Sequence, residues 1–471
     1  MNLFRRVAPV LALPALLLLA SGCSDRDAAG LAPARGNTDP LVFADDFGQD
    51  VYFQAFSGTF YAAVSRDSVY AYEGYAPDGA RSLKIAVPPA GSALGAYSGG
   101  VLTSAGARDL ADYNALTFYA RTDSGSVAAP TVLLNEVGFG NDNTGGSLYG
   151  VSRENLPLSP QWTFHIVPIP APSKLISERG LFLFAEGLQP EYRDGYHIWF
   201  DEIRFARLGN VEPFRPIMDS VSRQYFVGSA VSISGTRTIF SIDGAFVPVN
   251  HMPAYFDYVS SDPAVAVVDG AVVRVVGTGT STVTATLEGM DVNGRVTVTG
   301  YLPPTVAAPV PVLPAGDVIS MFSGAYADVP IDTWNTGWGG STARLEDYTV
   351  AGDLTKMYSA LNYVGIEFLN ALIDASAMTH FHLDVYAPAG TDFKVKLVSF
   401  PPAVTGVVET LDVVLDAAST PAFTAGGWSS LDIPLTAFTL PADWDWASVG
   451  QLVLSSSNAQ LVLVDNVYWH R

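Results

Sequence analysis

Beyond its N-terminus the chain has no stretch that keeps apolar residues at the i, i+3, i+4, i+7 spacing of an amphipathic helix. It is written in short runs of period two instead: 82–87, 116–121 and 163–168 each alternate apolar and polar residues, with Gly, Pro, Asn and Asp clustered between them. Val, Thr, Tyr, Phe and Ser fill those runs, and 43 Gly and 31 Pro supply the turns. Period two puts one face of each strand in a core and the other outside, so the chain has to build layered sheets. With 471 residues, 49% of them hydrophobic, it can form about three such cores at roughly 150 residues each.

Two stretches mark where domains close. Ile198-Trp199-Phe200-Asp201-Glu202-Ile203-Arg204-Phe205 and Leu463-Val464-Asp465-Asn466-Val467-Tyr468-Trp469 are apolar strands with one Asp in the middle. Each reads as the closing strand of a β-sandwich, its Asp placed to reach a cation or the first strand of its own domain. Two β-domains with a third unit between them follow from that reading.

Charge excludes one class of partner. Lys and Arg number 25 against 46 Asp and Glu, a net charge of -21, so phosphate backbones are repelled and nucleic acid is excluded. Divalent cations and neutral polymers remain compatible. The single cysteine, Cys23, rules out an internal disulfide and a Cys-based metal site. It follows a leader: Arg5-Arg6, an apolar run over 7–20, then Ala20-Ser21-Gly22, which read together as a signal peptide over 1–22. Small residues followed at once by Cys resemble a bacterial lipobox, which implies lipidation of Cys23 and a membrane anchor rather than a span. Ser24-Asp25-Arg26-Asp27 resembles the acidic stretch that sends some lipoproteins to the outer surface. The Ala-, Gly- and Pro-rich remainder of 23–40 reads as a tether.

Residues 41–210 carry Asp45-Asp46-Phe47, Ala96-Tyr97-Ser98-Gly99-Gly100, Leu116-x-Phe118-x-Ala120-Arg121 and the Phe200-Asp201-Glu202-Ile203 close. This order resembles the jelly-roll carbohydrate-binding modules of bacterial polysaccharide-degrading systems. The resemblance implies glycan binding and a structural Ca²⁺ between first and last strands, with Asp45 and Asp201 as part of its oxygen set. Sugar CH groups pack on aromatic rings, so Tyr97, Phe139 and Trp162 are candidate platforms, with Asn135 as hydrogen-bonding partner.

In 211–300 the run Tyr258-Val259-Ser260-Ser261-Asp262-Pro263-Ala264-Val265-Ala266-Val267 leads through Asp269-Gly270 to Gly277-Thr278-Gly279 and Val283-Thr284-Ala285. It resembles the bacterial Ig-like group 2 domain, which implies a spacer or adhesion module. Residues 301–316, with Pro303-Pro304, Pro309, Pro311 and Pro314, read as an extended linker that holds the last domain away from the spacer.

The last unit, 317–471, resembles accessory β-sandwiches of laminarin- and agar-type glycoside hydrolases, on Asp317 to Trp338, Gly365-Ile366-Glu367-Phe368, Trp428 to Leu435 and the close at Asp465. Trp334 and Trp338 are four apart, an even spacing that in a strand puts both on one face. Asp317 and Asp465 repeat the possible cation pairing. His380 and His382 alternate on one strand with no third ligand nearby.

The expectation is an all-β chain: lipidated leader and tether, then two jelly-roll-type β-sandwiches separated by an Ig-like β-sandwich. No Glu-x-Asp-x-x-Glu strand, H-E-x-x-H, G-x-S-x-G or phosphate loop is present. The functional expectation is a non-catalytic lipoprotein of the outer membrane or cell surface. It would capture polysaccharide, a neutral β-glucan first, beside an outer-membrane transporter or a secreted glycoside hydrolase. The alternatives are a structural or adhesion envelope protein and an unrecognised hydrolase or lyase. Structural Ca²⁺ is the one cofactor expected.

Overall fold

The computed structural model describes residues 36–56, 65–68, 81–93, 95–124 and 132–471. The leader, Cys23 and the tether up to residue 35 lie outside the described residues. Among the described residues, regular structure consists of β-strands and short 3₁₀ turns, and no helix is long and apolar enough to cross a membrane.

The first unit is two packed sheets. In one, the closing strand Tyr196–Ala206 has Ala115–Thr122 and then Thr163–Pro168 on one side. Its other side is shared by Arg81–Val87 and Leu41–Ala44. The second sheet runs Val151–Leu158, Val132–Phe139, Glu178–Gly187, Tyr97–Arg108 and Val51–Ala55. Phe118, Phe182 and Phe200 meet edge-to-face between them at 5.1–5.8 Å, all fully buried. Truncating any of these to Ala costs about 3–5 kcal/mol.

The last unit threads the same plan. Its closing strand Val462–His470 has His380–Tyr386 and then Trp428–Pro434 on one side, with Asp353–Ser359 and Val318–Phe322 sharing the other. Its second sheet places Val449–Ser455 between Tyr363–Glu367 and Asp392–Ser399. Chain order visits the equivalent positions in both units.

The central Asp of each closing strand has the same local role. Glu202 and Asn466 both sit at positive φ, 50° and 48°, and each follows the Asp. The Asp carboxylate accepts the N–H of that next residue, at 2.8 Å in Asp201 and 2.7 Å in Asp465. The pairing register slips at the same place, Phe43↔Ile203 with Leu41↔Arg204 and Phe322↔Val467 with Ser320↔Tyr468. Each Asp therefore holds open a β-bulge in its own strand.

Between the two sandwiches the chain does not leave the first at residue 211. Val211–Ile217, Arg237–Ile242 and Ala245–His251 extend the second sheet through pairing of Asn250 with Ser152 and His251 with Val151. One hydrogen-bonded sheet of eight strands thus crosses the expected boundary. The rest of the middle segment forms a sheet of Val221–Phe226, Val296–Tyr301, Gly279–Leu287 and Asp257–Ser260, facing one of Ala230–Ser232, Val272–Val275 and Ala266–Asp269. Asp262 turns the chain by accepting the Ala264 N–H at 3.0 Å, and Gly270 at φ 59° closes the 266–275 hairpin. Fully buried Tyr255 locks this segment to the first sandwich, its hydroxyl donating to the Tyr149 carbonyl at 2.9 Å.

The Pro-rich segment is not the extended spacer expected of it. Its carbonyls have no ladder partners, as in any polyproline-like run, and the last sandwich supplies donors. Trp428 Nε1 donates to the Val306 carbonyl at 2.8 Å and Asn466 Nδ2 to that of Pro309 at 3.0 Å. Phe226 of the middle segment is buried against Tyr348 and Tyr386. The segment lies along the outer face of the last sandwich and holds its neighbours against each other.

Candidate ligand-binding faces

In the last sandwich, Tyr363 opens an edge strand, and two residues on, Gly365 leaves a patch of backbone with no side chain of its own, buried by the neighbouring loop. Trp338 lies over that patch: a Cβ at Gly365 would stand 2.6 Å from the indole Cη2 and 2.9 Å from Thr336 Oγ1. Three bonds fix the loop that carries the ring. Tyr363 Oη donates to Gly339 O at 2.5 Å, Ser341 Oγ to Tyr363 O at 2.7 Å, and Asn362 Nδ2 to Gly340 O at 2.8 Å. Gly337 and Gly340, at φ 64° and 89°, let the chain double back. Across the sheet from Gly365 come Val453 and then Lys396. Lys396 Nζ is 3.3 Å from Glu409 and 3.7 Å from Asp412. Together these side chains line a shallow cleft of about 360 Å³ with one aromatic wall and a charged, hydrogen-bonding floor.

The first sandwich repeats the arrangement. Tyr97 opens the equivalent strand, and Gly99 follows two residues on, with the Tyr97 ring folded so close that a methyl there would collide with it. Across the sheet from Gly99 come Ala185, Glu136 and Glu154. Burial, and then the Glu136 carboxylate, raise the Tyr97 phenol above its ordinary pKa. A neighbouring row runs Leu183, Gly138, Ser152, Asn250, Arg237, one residue per strand. This face forms part of a cleft of about 740 Å³.

The structure sorts the residues singled out in the sequence. Tyr97 and Asn135 share one face: Asn135 Nδ2 is 3.4 Å from where a Cβ on Gly187, the cross-strand partner of Tyr97, would stand. Phe139 is no platform, because it is fully buried between the sheets, edge-on to Phe205 at 5.4 Å. Trp162 is buried in a small cluster with Trp199 and Tyr119. Trp334 and Trp338 do not form a pair. Trp334 packs edge-on to Phe322 at 5.6 Å, with Lys356 Nζ 5.7 Å from its ring centre, beside the first sheet of the last sandwich, whereas Trp338 covers the second.

Each acid expected to help hold a cation has a protein partner. Asp317 forms an ion pair with Arg471 at 2.6 Å, and its strand meets the closing strand at His470, far along it from Asp465. Asp45 caps the Arg81 N–H at 2.7 Å, and Asp201 holds its bulge. Among the described residues no group of three or more His, Cys, Asp or Glu is arranged to hold a metal ion. His380 and His382 stack on His470 and Tyr468. Asp465 has a different neighbourhood: burial, then the Asp353 and Asp384 carboxylates, push its pKa up to about 7.

Tyr363, Lys396, Glu409 and Asp412 escaped the sequence reading. The usable signal was the repeated Tyr-x-Gly at the start of equivalent strands.

No protein-family model and no curated protein matches the chain. Solved structures with similar folds include the family 30 carbohydrate-binding module of a cellulosomal cellulase of Clostridium thermocellum, at 17% identity over 32% of this chain and 96% of that one, TM-score 0.27. The family 11 module of another cellulosomal cellulase of that organism matches at 14% identity over 31% and 96%, TM-score 0.22. A tandem of two family 22 modules from a Paenibacillus barcinonensis protein matches at 13% identity over 93% and 99%, TM-score 0.22. At these identities and scores, what the chain binds has to be argued from its own faces.

Proposed function

We propose that this chain is a non-catalytic glycan-binding protein that takes polysaccharide on the second-sheet faces of its two sandwiches. One observation carries the reading: at the start of the same strand in both sandwiches a half-buried ring lies against a buried glycine, Tyr97 on Gly99 and Trp338 on Gly365, next to hydrogen-bonding side chains. The outward face of such a ring takes the CH face of a pyranose, and the flanking charged groups are hydrogen-bond partners for hydroxyls. Uncharged β-glucan is the first candidate, since the net charge of -21 repels acidic polymers.

In this reading Cys23 carries a lipid anchor at the cell surface, and the captured polymer is passed to a transporter or a secreted hydrolase. The middle segment is a bacterial Ig-like module that fixes the spacing of the two faces. Two weak sites on one chain gain avidity only for polymers that span both.

Affinity electrophoresis of the full chain in gels containing uncharged polysaccharides tests the proposal. Retardation in at least one gel, reduced in Trp338→Ala with Tyr363→Ala at unchanged melting temperature, is the expected result. Unretarded migration in every gel overturns it.

A further inference from the structure

We infer that the larger cleft is a composite binding site, made jointly by the first sandwich and the middle segment, that takes an extended uncharged glycan chain across the strands; this rests on the glycan-binding reading above. The cleft holds about 740 Å³, within the roughly 300–1,000 Å³ typical of ligand pockets. Its floor is the row Leu183, Gly138, Ser152, Asn250 and Arg237, in which the last two come from strands beyond residue 211. At about 4.8 Å per strand, that row is about 19 Å long, room for several linked sugars rather than one.

The added strands are held in place before any ligand arrives. His251 is buried, with Nε2 3.0 Å from Thr238 Oγ1 and Nδ1 3.0 Å from the Met252 carbonyl. Met252 N–H donates to Gly150 O at 2.9 Å, and its Sδ lies 3.3 Å from where a Cβ on Gly150 would stand. A rigid wall lowers the ordering cost of binding.

The side chains on offer suit a neutral, polyhydroxylated ligand. Asn250 Nδ2 donates to Glu154 Oε1 at 2.9 Å and keeps its carbonyl for a hydroxyl donor. Among the described residues, neither Arg237 nor Glu136 has an ion-pair partner, and both line the cleft. Leu183, Met252 and Ile233 supply apolar contact. Arg237 donates at one end and Glu136 accepts nearer the other, so a polyhydroxylated ligand meets both donors and acceptors along the row. The last sandwich has no such extension among the described residues: Val408–Glu409 and Val413–Asp416 both pair with Asp392–Ser399 and end its sheet. The composite cleft is therefore the site expected to measure chain length.

The test is calorimetric titration of the full chain with short and long oligosaccharides cut from mixed-linkage β-glucan, in a Trp338→Ala, Tyr363→Ala background that disables the other face. Long oligosaccharides should still bind and short ones bind weakly. Arg237→Ala with Asn250→Ala should weaken the long ones by about tenfold, and Ser152→Trp, which fills the middle of the row, should abolish binding. Arg237 is exposed and Asn250 half-buried, and with melting temperature measured alongside they decide the matter even if Ser152→Trp disturbs the fold. Unchanged affinity in both variants overturns the inference. If the parent chain binds but the background variant binds nothing, the cleft is refuted and glycan binding stands. No binding by the parent chain refutes both.

Discussion

Gly365→Ala separates a ligand platform from a structural plug with one methyl group. The new Cβ would stand 2.6 Å from two atoms of the Trp338 ring and 2.9 Å from Thr336 Oγ1. Ordinary carbon contacts are about 3.5–4.0 Å, so the ring has to retreat by roughly 1 Å. Forcing extra volume into a packed contact costs about 1–3 kcal/mol. Replacing a strand glycine with alanine returns about 0.5–1 kcal/mol through lower backbone entropy in the unfolded chain. Trp338 is half-buried and can yield outward, so the net destabilisation should be about 1 kcal/mol, a melting shift of a few degrees at most. Binding should suffer more, because the displaced ring no longer presents its outward face where the sugar packs on it. In a Ser152→Trp background, titration with mixed-linkage β-glucan oligosaccharide should show affinity reduced by about tenfold or more. Affinity within twofold of the parent, with the fold intact, refutes the assignment of the Trp338 ring as the sugar-binding surface.

Two further predictions concern how the units are held. Phe226→Ala removes the buried ring that joins the middle segment to the last sandwich, a loss of about 3 kcal/mol at that contact; calorimetry should then resolve the last sandwich as a separate transition, and a single unchanged transition would contradict the docked arrangement. Asp465 has a raised pKa, about 7 against 3.8 when exposed, so the folded state keeps a proton the unfolded state has lost. Its stabilising effect is complete below about pH 4 and lost as pH rises to about 7. Asp465→Asn should lack that pH dependence and gain stability relative to the parent between those limits; parallel melting curves for the two proteins would show that Asp465 ionises normally.

Local chemistry made much of the fold legible. The Asp262 turn, the Asp269-Gly270 hairpin and the two closing strands are each written within a few residues, and each folds where its turn chemistry demands. Alternation was misleading where the chain changes phase. Counted from buried Val132 and Leu134, Phe139 falls on the outside. Asn155, at φ 52° on the paired strand, marks a break in the alternation, after which Val137 and Phe139 point inward. The even spacing of Trp334 and Trp338 failed for a related reason. Gly337 at φ 64° ends the extended segment between them, so strand geometry no longer relates the two rings. The docking of 301–316 depends on donors at Trp428 and Asn466, more than a hundred residues away, and nothing local announces it. The continuation of the first sheet into residues 237–251 is hidden in the same way, since the pairing of Asn250 with Ser152 joins strands about a hundred residues apart.

The most direct test of the central claim is a calorimetric titration of the full chain with a long mixed-linkage β-glucan oligosaccharide, repeated with Trp338→Ala and Tyr363→Ala. Two sites per chain in the parent and one in the variant are expected. No heat of binding with this or any other uncharged glycan, or identical titrations for the two proteins, would contradict the claim.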